Sequence, residues 1–273
     1  HSLYLGEAEE HLAGLLRKIG LFYVLPRTTL SPLFSQGVMT AEVVSYAYAA
    51  WKFVFYFAAR PGDDLAALSR ALAHDPTNRS RLMELGANLR RDVFTEQRVA
   101  ETIFQYPGLV SEIYEDFEAA HNFARGAGQT RRSTVQTQEH LHTMIRKQIA
   151  DEVDAEVLFT MLLFNRATQK TNFFMRGKTA LAFRLDVSFF GNRERYAAYP
   201  DIPFGVFMLV GSTFRGFHVR FKDVARGGIR IIKSHDPNAF NRNKEALFVE
   251  NYNLARTQMR KNKDIPEGGS KGT

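Results

Sequence analysis

The chain contains no cysteine. That removes disulfide scaffolds, thiolate-ligated zinc and thiol nucleophiles together, and it is compatible with a reducing compartment. Two common catalytic signatures are also missing, because neither GxSxG nor GxGxxG occurs. His140 and His142 stand two apart and point to different faces of a helix, and His121 follows Glu118 without the HExxH spacing. All three read as surface or packing histidines, and no metal site is expected. The chain opens HSLYLGEAEEHL, with no basic segment leading into an apolar one and no initiator Met, so it reads as a fragment without a leader. The most apolar run, Val43–Ala59, is short for a membrane span and carries Lys52 near its centre, a costly position in hydrocarbon. A helix buried in protein is expected there, and no membrane partner.

What is present is an ordinary globular composition. Of 273 residues, 45% are hydrophobic and 24% charged, values that argue against disorder and leave ample material for a core. The formal charge is +7, and it is not evenly spread. Residues 1–214 hold 23 basic and 23 acidic side chains, whereas residues 215–273 hold 13 and 6. The whole excess sits in the C-terminal segment.

Two textures divide the chain, giving a mixed α/β fold with a helical region at 1–171 followed by part of an α/β unit at 172–273. Leu5, Ala8, Leu12, Leu15, Leu16 and Ile19 recur at helical spacing. Thr40 precedes the aromatic run as a helix start, and Arg60-Pro61-Gly62 stops it. Asp63–Ala73 is a short helix candidate. Leu82, Leu85, Leu89 and Val93 mark another, and Val110, Ile113, Phe117 and Ala120 a third. Gly126–Thr134 reads as an exposed loop, and a long helix is expected from Val135 to Lys170, with Val153, Val157, Met161 and Phe164 on its apolar stripe. The aromatic positions Tyr46, Trp51, Phe53, Phe55 and Phe57 read as core. After Asn172, Leu181, Phe183, Leu185 and Val187 alternate at period two, Phe204–Val210 suits a buried strand, and Phe217, Val219 and Phe221 face opposite to His218, Arg220 and Lys222. Arg230–Ile232 continues an extended segment. Phe240–Gln258 returns to helix, and Ile265–Gly269 is an extended piece entering a turn. Ser270-Lys271-Gly272 then carries no stop signal, and a helix is expected to begin there.

Two clusters carry potential chemistry. In Asp223-Val224-Ala225-Arg226-Gly227-Gly228-Ile229-Arg230, paired glycines let backbone N–H groups approach a ligand, and flanking arginines can chelate a carboxylate. The stretch from Gln258 to Gly272 ends with Lys271 on a glycine-rich turn, where burial and neighbouring cations would depress a lysine pKa into a catalytic range. GGSKGT only superficially suggests a phosphate loop. Gly follows Lys271 where Ser or Thr is required, and the first glycine is missing. A reading from another class takes residues 215–273 as a basic nucleic-acid-binding module, with Phe217, Phe221, Phe240, Phe248 and Tyr252 interspersed among the cations. Those aromatics fall at core-like spacing without an RRM, KH or zinc motif, so no nucleic-acid partner is expected.

ARGGIR, followed some forty residues later by a QxxKN-like segment and PEGGSKG, resembles the substrate half of glutamate dehydrogenases. The form DVARGGIR…NLARTQ-x-RKNKDIPEGGSKGT, preceded by KTNFF and LAFRLD, is similar to the large-subunit NAD-specific glutamate dehydrogenases of eukaryotes. These motifs cover Lys170–Thr273. The resemblance implies NAD-dependent oxidative deamination of L-glutamate to 2-oxoglutarate and ammonia, by a homo-oligomer in the mitochondrial matrix or cytosol. Arg226 would stand where small-subunit relatives have the lysine that grips the distal carboxylate, with Gly227 and Gly228 forming the turn beside the substrate. Gln258 and Lys261 match QxxKN, Lys261 for the α-carboxylate. The interval from Lys261 to Lys271 is two residues shorter than in the small-subunit form, so Lys263 competes for that role. Lys271 would be the catalytic lysine, and Ser270 replaces a small residue. The resemblance places the partner catalytic Asp and the Rossmann-type NAD domain downstream of Thr273, so this chain alone is expected to be inactive.

Overall fold

The computed structural model describes residues 28–58, 92–123, 135–175, 177–192, 199–261 and 267–273, together with Leu12, Leu15, Leu16, Leu25 and Tyr196. The helix expected at Asp63–Ala73, most of those at Leu5–Ile19 and Leu82–Val93, the loop Gly126–Thr134 and Lys263 lie outside the described residues. Leu12, Leu15 and Leu16 are helical and exposed.

The helical half contains α1 (Ser31–Ser35), α2 (Ala41–Phe57), α3 (Glu96–Gln105), α4 (Pro107–His121), α5 (Val135–Gln148) and α6 (Glu152–Ala167). Thr40 caps α2 by accepting from the Val43 N–H, as its position in sequence suggested. All α2 residues but Glu42 and Phe55 are buried, the signature of a helix surrounded by others. No described helix is long and apolar enough to cross a membrane.

The single helix expected over Val135–Lys170 is in fact two helices and a strand. The Asp151 carboxylate accepts from the Val153 and Asp154 N–H groups and starts α6 anew. Val157, Met161 and Phe164 keep the expected inward face. Thr168–Thr171 then forms β1, so the sheet begins ahead of the change in texture at Asn172.

The sheet has the order β1-β2-β3-β4-β6-β5, with β2 at Ala180–Leu185, β3 at Gly205–Gly211, β4 at Arg215–Arg220, β5 at Ala225–Arg226 and β6 at Gly268–Gly272. Neighbours are antiparallel except β5 and β6, which run parallel. Register aligns the apolar alternation across three strands. Leu181, Phe183 and Leu185 oppose Val210, Met208 and Val206, and the last two oppose Phe217 and Val219. All eight are buried on one face.

Between β5 and β6 the chain runs through α7 (Pro237–Met259), which starts three residues before the expected Phe240. The Asp236 carboxylate accepts from the Ala239 N–H, and Pro237 opens the first turn. Helices α2, α6 and α7 cover the apolar face. Phe57 is central, its ring lying 4.8 Å from Phe248, 6.0 Å from Phe217 and 4.7 Å from Phe53. The two regions separated in sequence therefore share one hydrophobic core.

Candidate active site

Lys271 lies in a strand, not in the turn expected of GGSKG. Strand β6 is slotted between β4 and β5, pairing Val219 with Lys271 on one side and Ala225 and Arg226 with Gly268 and Gly269 on the other. Glycine makes the slot possible at two close approaches. A Cβ on Gly227 would sit 1.6 Å from the Ser270 carbonyl oxygen, and one on Gly269 would sit 2.5 Å from both the Ala255 oxygen and the Met259 nitrogen of α7.

Gly228 and Lys271, far apart in sequence, are brought together. The Gly228 carbonyl accepts from the Gly272 N–H at 3.1 Å, and the Arg230 N–H donates to the Gly272 carbonyl at 2.8 Å. A Cβ on Gly228 would lie 3.8 Å from Lys271 Nζ, so the half-buried ammonium stands beside bare backbone. Of the extended segment expected at Arg230–Ile232, only the bridge between Ile229 and Gly272 and this Arg230 bond persist.

Strand alternation puts Gly269, Lys271 and Thr273 on the side of α7. Gly269 donates its N–H to Met259 Sδ, and Thr273 donates its hydroxyl to Asn251 Oδ1 at 2.9 Å. The fully buried Asn251 also donates to the Phe217 carbonyl at 3.3 Å, tying α7 to β4 and to the end of the lysine strand. Gln258 is half-buried, with its backbone against Gly269. Lys261 is exposed two residues beyond α7. The Arg226 side chain is 78% exposed and faces Glu267 at 3.7 Å, so its guanidinium is largely open to an incoming anion. Ser270 is buried.

A second polar centre was not anticipated. Glu96, in the first turn of α3, accepts from Lys52 and Arg215 on Oε1 at 2.8 Å each, and from Lys244 on Oε2 at 2.7 Å. Burial alone would raise the Glu96 carboxyl. Lys52, Arg215 and Lys244 outweigh it and hold the group well below the usual carboxylate range. For Lys52 burial wins, with Arg215 and Lys244 adding repulsion, and its pKa comes down to about 7 despite Glu96. The carboxylate is shared three ways, so Lys52 is the under-compensated partner. Half of this centre was visible in advance, as a lysine inside an apolar run. Its partner stands 44 residues on and is not readable from spacing.

Elsewhere, His142 stacks on Phe159 at 4.7 Å and His121 packs on Phe117 at 4.7 Å, as packing histidines do. Among the described residues no group of three or more His, Asp or Glu could hold a metal. A groove of about 580 Å³ between α5 and α6, which His142 lines, contains none of the glycine or lysine positions described above. Of the five aromatics between the C-terminal cations, Phe217, Phe248 and Tyr252 are core residues, Phe221 packs against the core, and Phe240 alone is exposed.

In this mixed α/β fold a glycine-lined strand carrying one lysine lies beside an exposed arginine at the sheet edge, both cations of the kind that bind carboxylates. Residues 141–273 match the family described as bacterial NAD-glutamate dehydrogenase, catalytic domain, and this segment belongs to it. The chain is 44% identical over 262 residues to glutamate dehydrogenase 2 of Dictyostelium discoideum, covering 96% of this chain and 25% of that protein. It is 39% identical to the NAD-specific glutamate dehydrogenase of Neurospora crassa over 97% of this chain and 25% of that protein. With the NAD-specific glutamate dehydrogenase of Saccharomyces cerevisiae it shares 32% identity, over 98% of this chain and 26% of that protein. The relationship thus extends through the helical half, and the chain spans about a quarter of the length of these relatives.

Proposed function

We propose that the full-length protein containing this chain oxidises L-glutamate with NAD, releasing 2-oxoglutarate and ammonia. The observation that carries the reading is the seating of Lys271 beside Gly228, on a strand that only glycines allow to fit. Glutamate bears two carboxylates, so its site needs fixed cations at both ends. Arg226 is the partner for the distal carboxylate, and Lys261 for the α-carboxylate, with Gln258 lining the same helix end. NAD, when bound, would supply the acceptor for the α-hydrogen of glutamate as hydride. The chain contains no GxGxxG fingerprint, so the cofactor is assigned to residues outside it. Lys271 activates the water that adds to the resulting imine carbon and returns the proton needed to expel ammonia. The positive excess over residues 215–273 serves as a local field for a small dianion. Assembly as a homo-oligomer is part of the same proposal.

The test is steady-state assay of the full-length protein with glutamate and NAD. Lys271→Ala should lower kcat by about 10³-fold, in the range of a lost general acid–base group. Lys261→Ala should raise KM for glutamate by about tenfold or more, as removal of one charged contact does, while Lys263→Ala leaves it within about twofold. Near-normal turnover by Lys271→Ala would remove the assignment.

A further inference from the structure

Glu96 is held more heavily than a surface carboxylate needs to be. Three cations from three elements converge on it: Lys52 of α2, Arg215 of β4 and Lys244 of α7. The side chains are 4%, 12% and 12% exposed and Glu96 itself 21%, so the group sits mostly out of water with an excess of positive charge. Aromatic rings line it. Lys52 Nζ lies 3.5 Å over Trp51 and 4.6 Å over Tyr48, and Arg215 stands 5.4 Å from Phe240. The Tyr56 hydroxyl donates to the Lys244 carbonyl at 2.9 Å. A cluster serving only to join two helices would need one cation. This one reaches the two elements that seat the lysine strand. Arg215 opens β4, whose Val219 stands opposite Lys271 and whose Phe217 exchanges backbone hydrogen bonds with Thr273. Lys244 precedes Asn251 by two turns of α7, about 10 Å along the axis, and Asn251 holds the Thr273 hydroxyl.

We infer that Glu96 is a positioning residue for Lys271: by gripping Arg215 and Lys244 it fixes β4 and α7 against each other, and so sets the place of the lysine strand from the helical half. The inference rests on the proposed function, in which Lys271 carries the chemistry. The groups facing Glu96 are Tyr48, Lys52 and Tyr56 from α2, Arg215 from β4 and Lys244 from α7. Lys52 gives up its proton near neutrality, so the charge of the cluster changes within the pH range of an ordinary assay. Loss of the Glu96 charge moves that ionisation to lower pH, because its carboxylate is what favours the protonated amine.

The experiment compares full-length wild type with Glu96→Gln in kcat, KM for glutamate, the pH profile of kcat and amide hydrogen exchange. The expected result is a fall in kcat of about tenfold or more with KM within about twofold, as a displaced catalytic group gives. The limb of the profile near neutrality should move to the acid side, and exchange over residues 215–220 and 268–272 should quicken about tenfold. A folded variant with wild-type kcat, profile and exchange overturns the inference. If Glu96→Gln does not fold, Lys244→Met is measured in the same way. It should lower kcat about threefold and quicken exchange in the same strands, and unchanged values would be equally fatal. Loss of activity in Lys271→Ala beside full activity in Glu96→Gln leaves the proposed function standing without this inference. If the wild type fails to oxidise glutamate, the proposed function falls instead, and the exchange rates of β4 and β6 still decide whether Glu96 positions them.

Discussion

Lys52 shows how one residue can be both well bonded and costly. Its ammonium touches Glu96 and sits over two rings, yet it is almost fully removed from water and shares its carboxylate with two other cations. The sign of the pH effect follows. A lysine brought down from the ordinary 10.5 to about 7 in the folded protein imposes its full penalty below pH 7, where it must be charged in place. Between about 7 and 10.5 the unfolded chain holds a proton that the native state has shed, so stability rises with pH across that window. Lys52→Met removes the burden while leaving Glu96 its other two partners. It should make α2 more stable by about 1 kcal/mol near pH 6, with the advantage shrinking toward pH 9. Protection of α2 amides against exchange at the two pH values checks this. Greater protection of the wild type near pH 6 would show that the ion pair outweighs burial.

At the scale of elements, the strands and helices were legible wherever one period ran uninterrupted and the residues themselves set it. The apolar alternations in β2 and β4 and the buried run of β3 are local facts, and the fold obeys them. Three features were not local. The break between α5 and α6 depends on one aspartate, Asp151, turning its carboxylate onto the following amides. The change of GGSKG from turn to strand depends on room between β4 and β5. The convergence on Glu96 joins residues from four elements. Of the candidate site, the residue types were readable in ARGGIR and GGSKG, whereas Asn251, which holds the end of the lysine strand, was hidden as one of five asparagines in a largely polar helix. The two adjacent glycines now separate cleanly. Gly227→Ala drives a Cβ into the Ser270 carbonyl, and β6 must leave its slot. A loss of about 3 kcal/mol or more is expected. Gly228→Ala meets Lys271 Nζ at ordinary contact distance, so stability should stay within about 1 kcal/mol while kcat falls. Thermal melting and steady-state assay of the two variants decide the matter, and equal stability would argue against the close packing of β6.

At the scale of the whole molecule, one core joins the helical half to the sheet, with Phe57 between Phe53 on one side and Phe217 and Phe248 on the other. Phe57→Ala should therefore cost about 3–5 kcal/mol and loosen both halves together. Hydrogen exchange would show α2 and β3 amides opening with the same free-energy change, and a loss confined to α2 would mean the halves are coupled only loosely.

The position of β6 has a consequence for biogenesis. It is made after β5 and after the 23 residues of α7, yet its place is between β5 and β4. At ribosomal rates the interval between Arg226 and Gly268 is about 2–8 seconds, during which β4 and β5 have no partner on their facing edges. Until the lysine-bearing segment arrives, those edges present unpaired amides and carbonyls. That makes this stretch of synthesis the interval when a neighbouring nascent chain is best able to insert a strand of its own. The residue assigned to the chemistry takes its place only when that exposure ends.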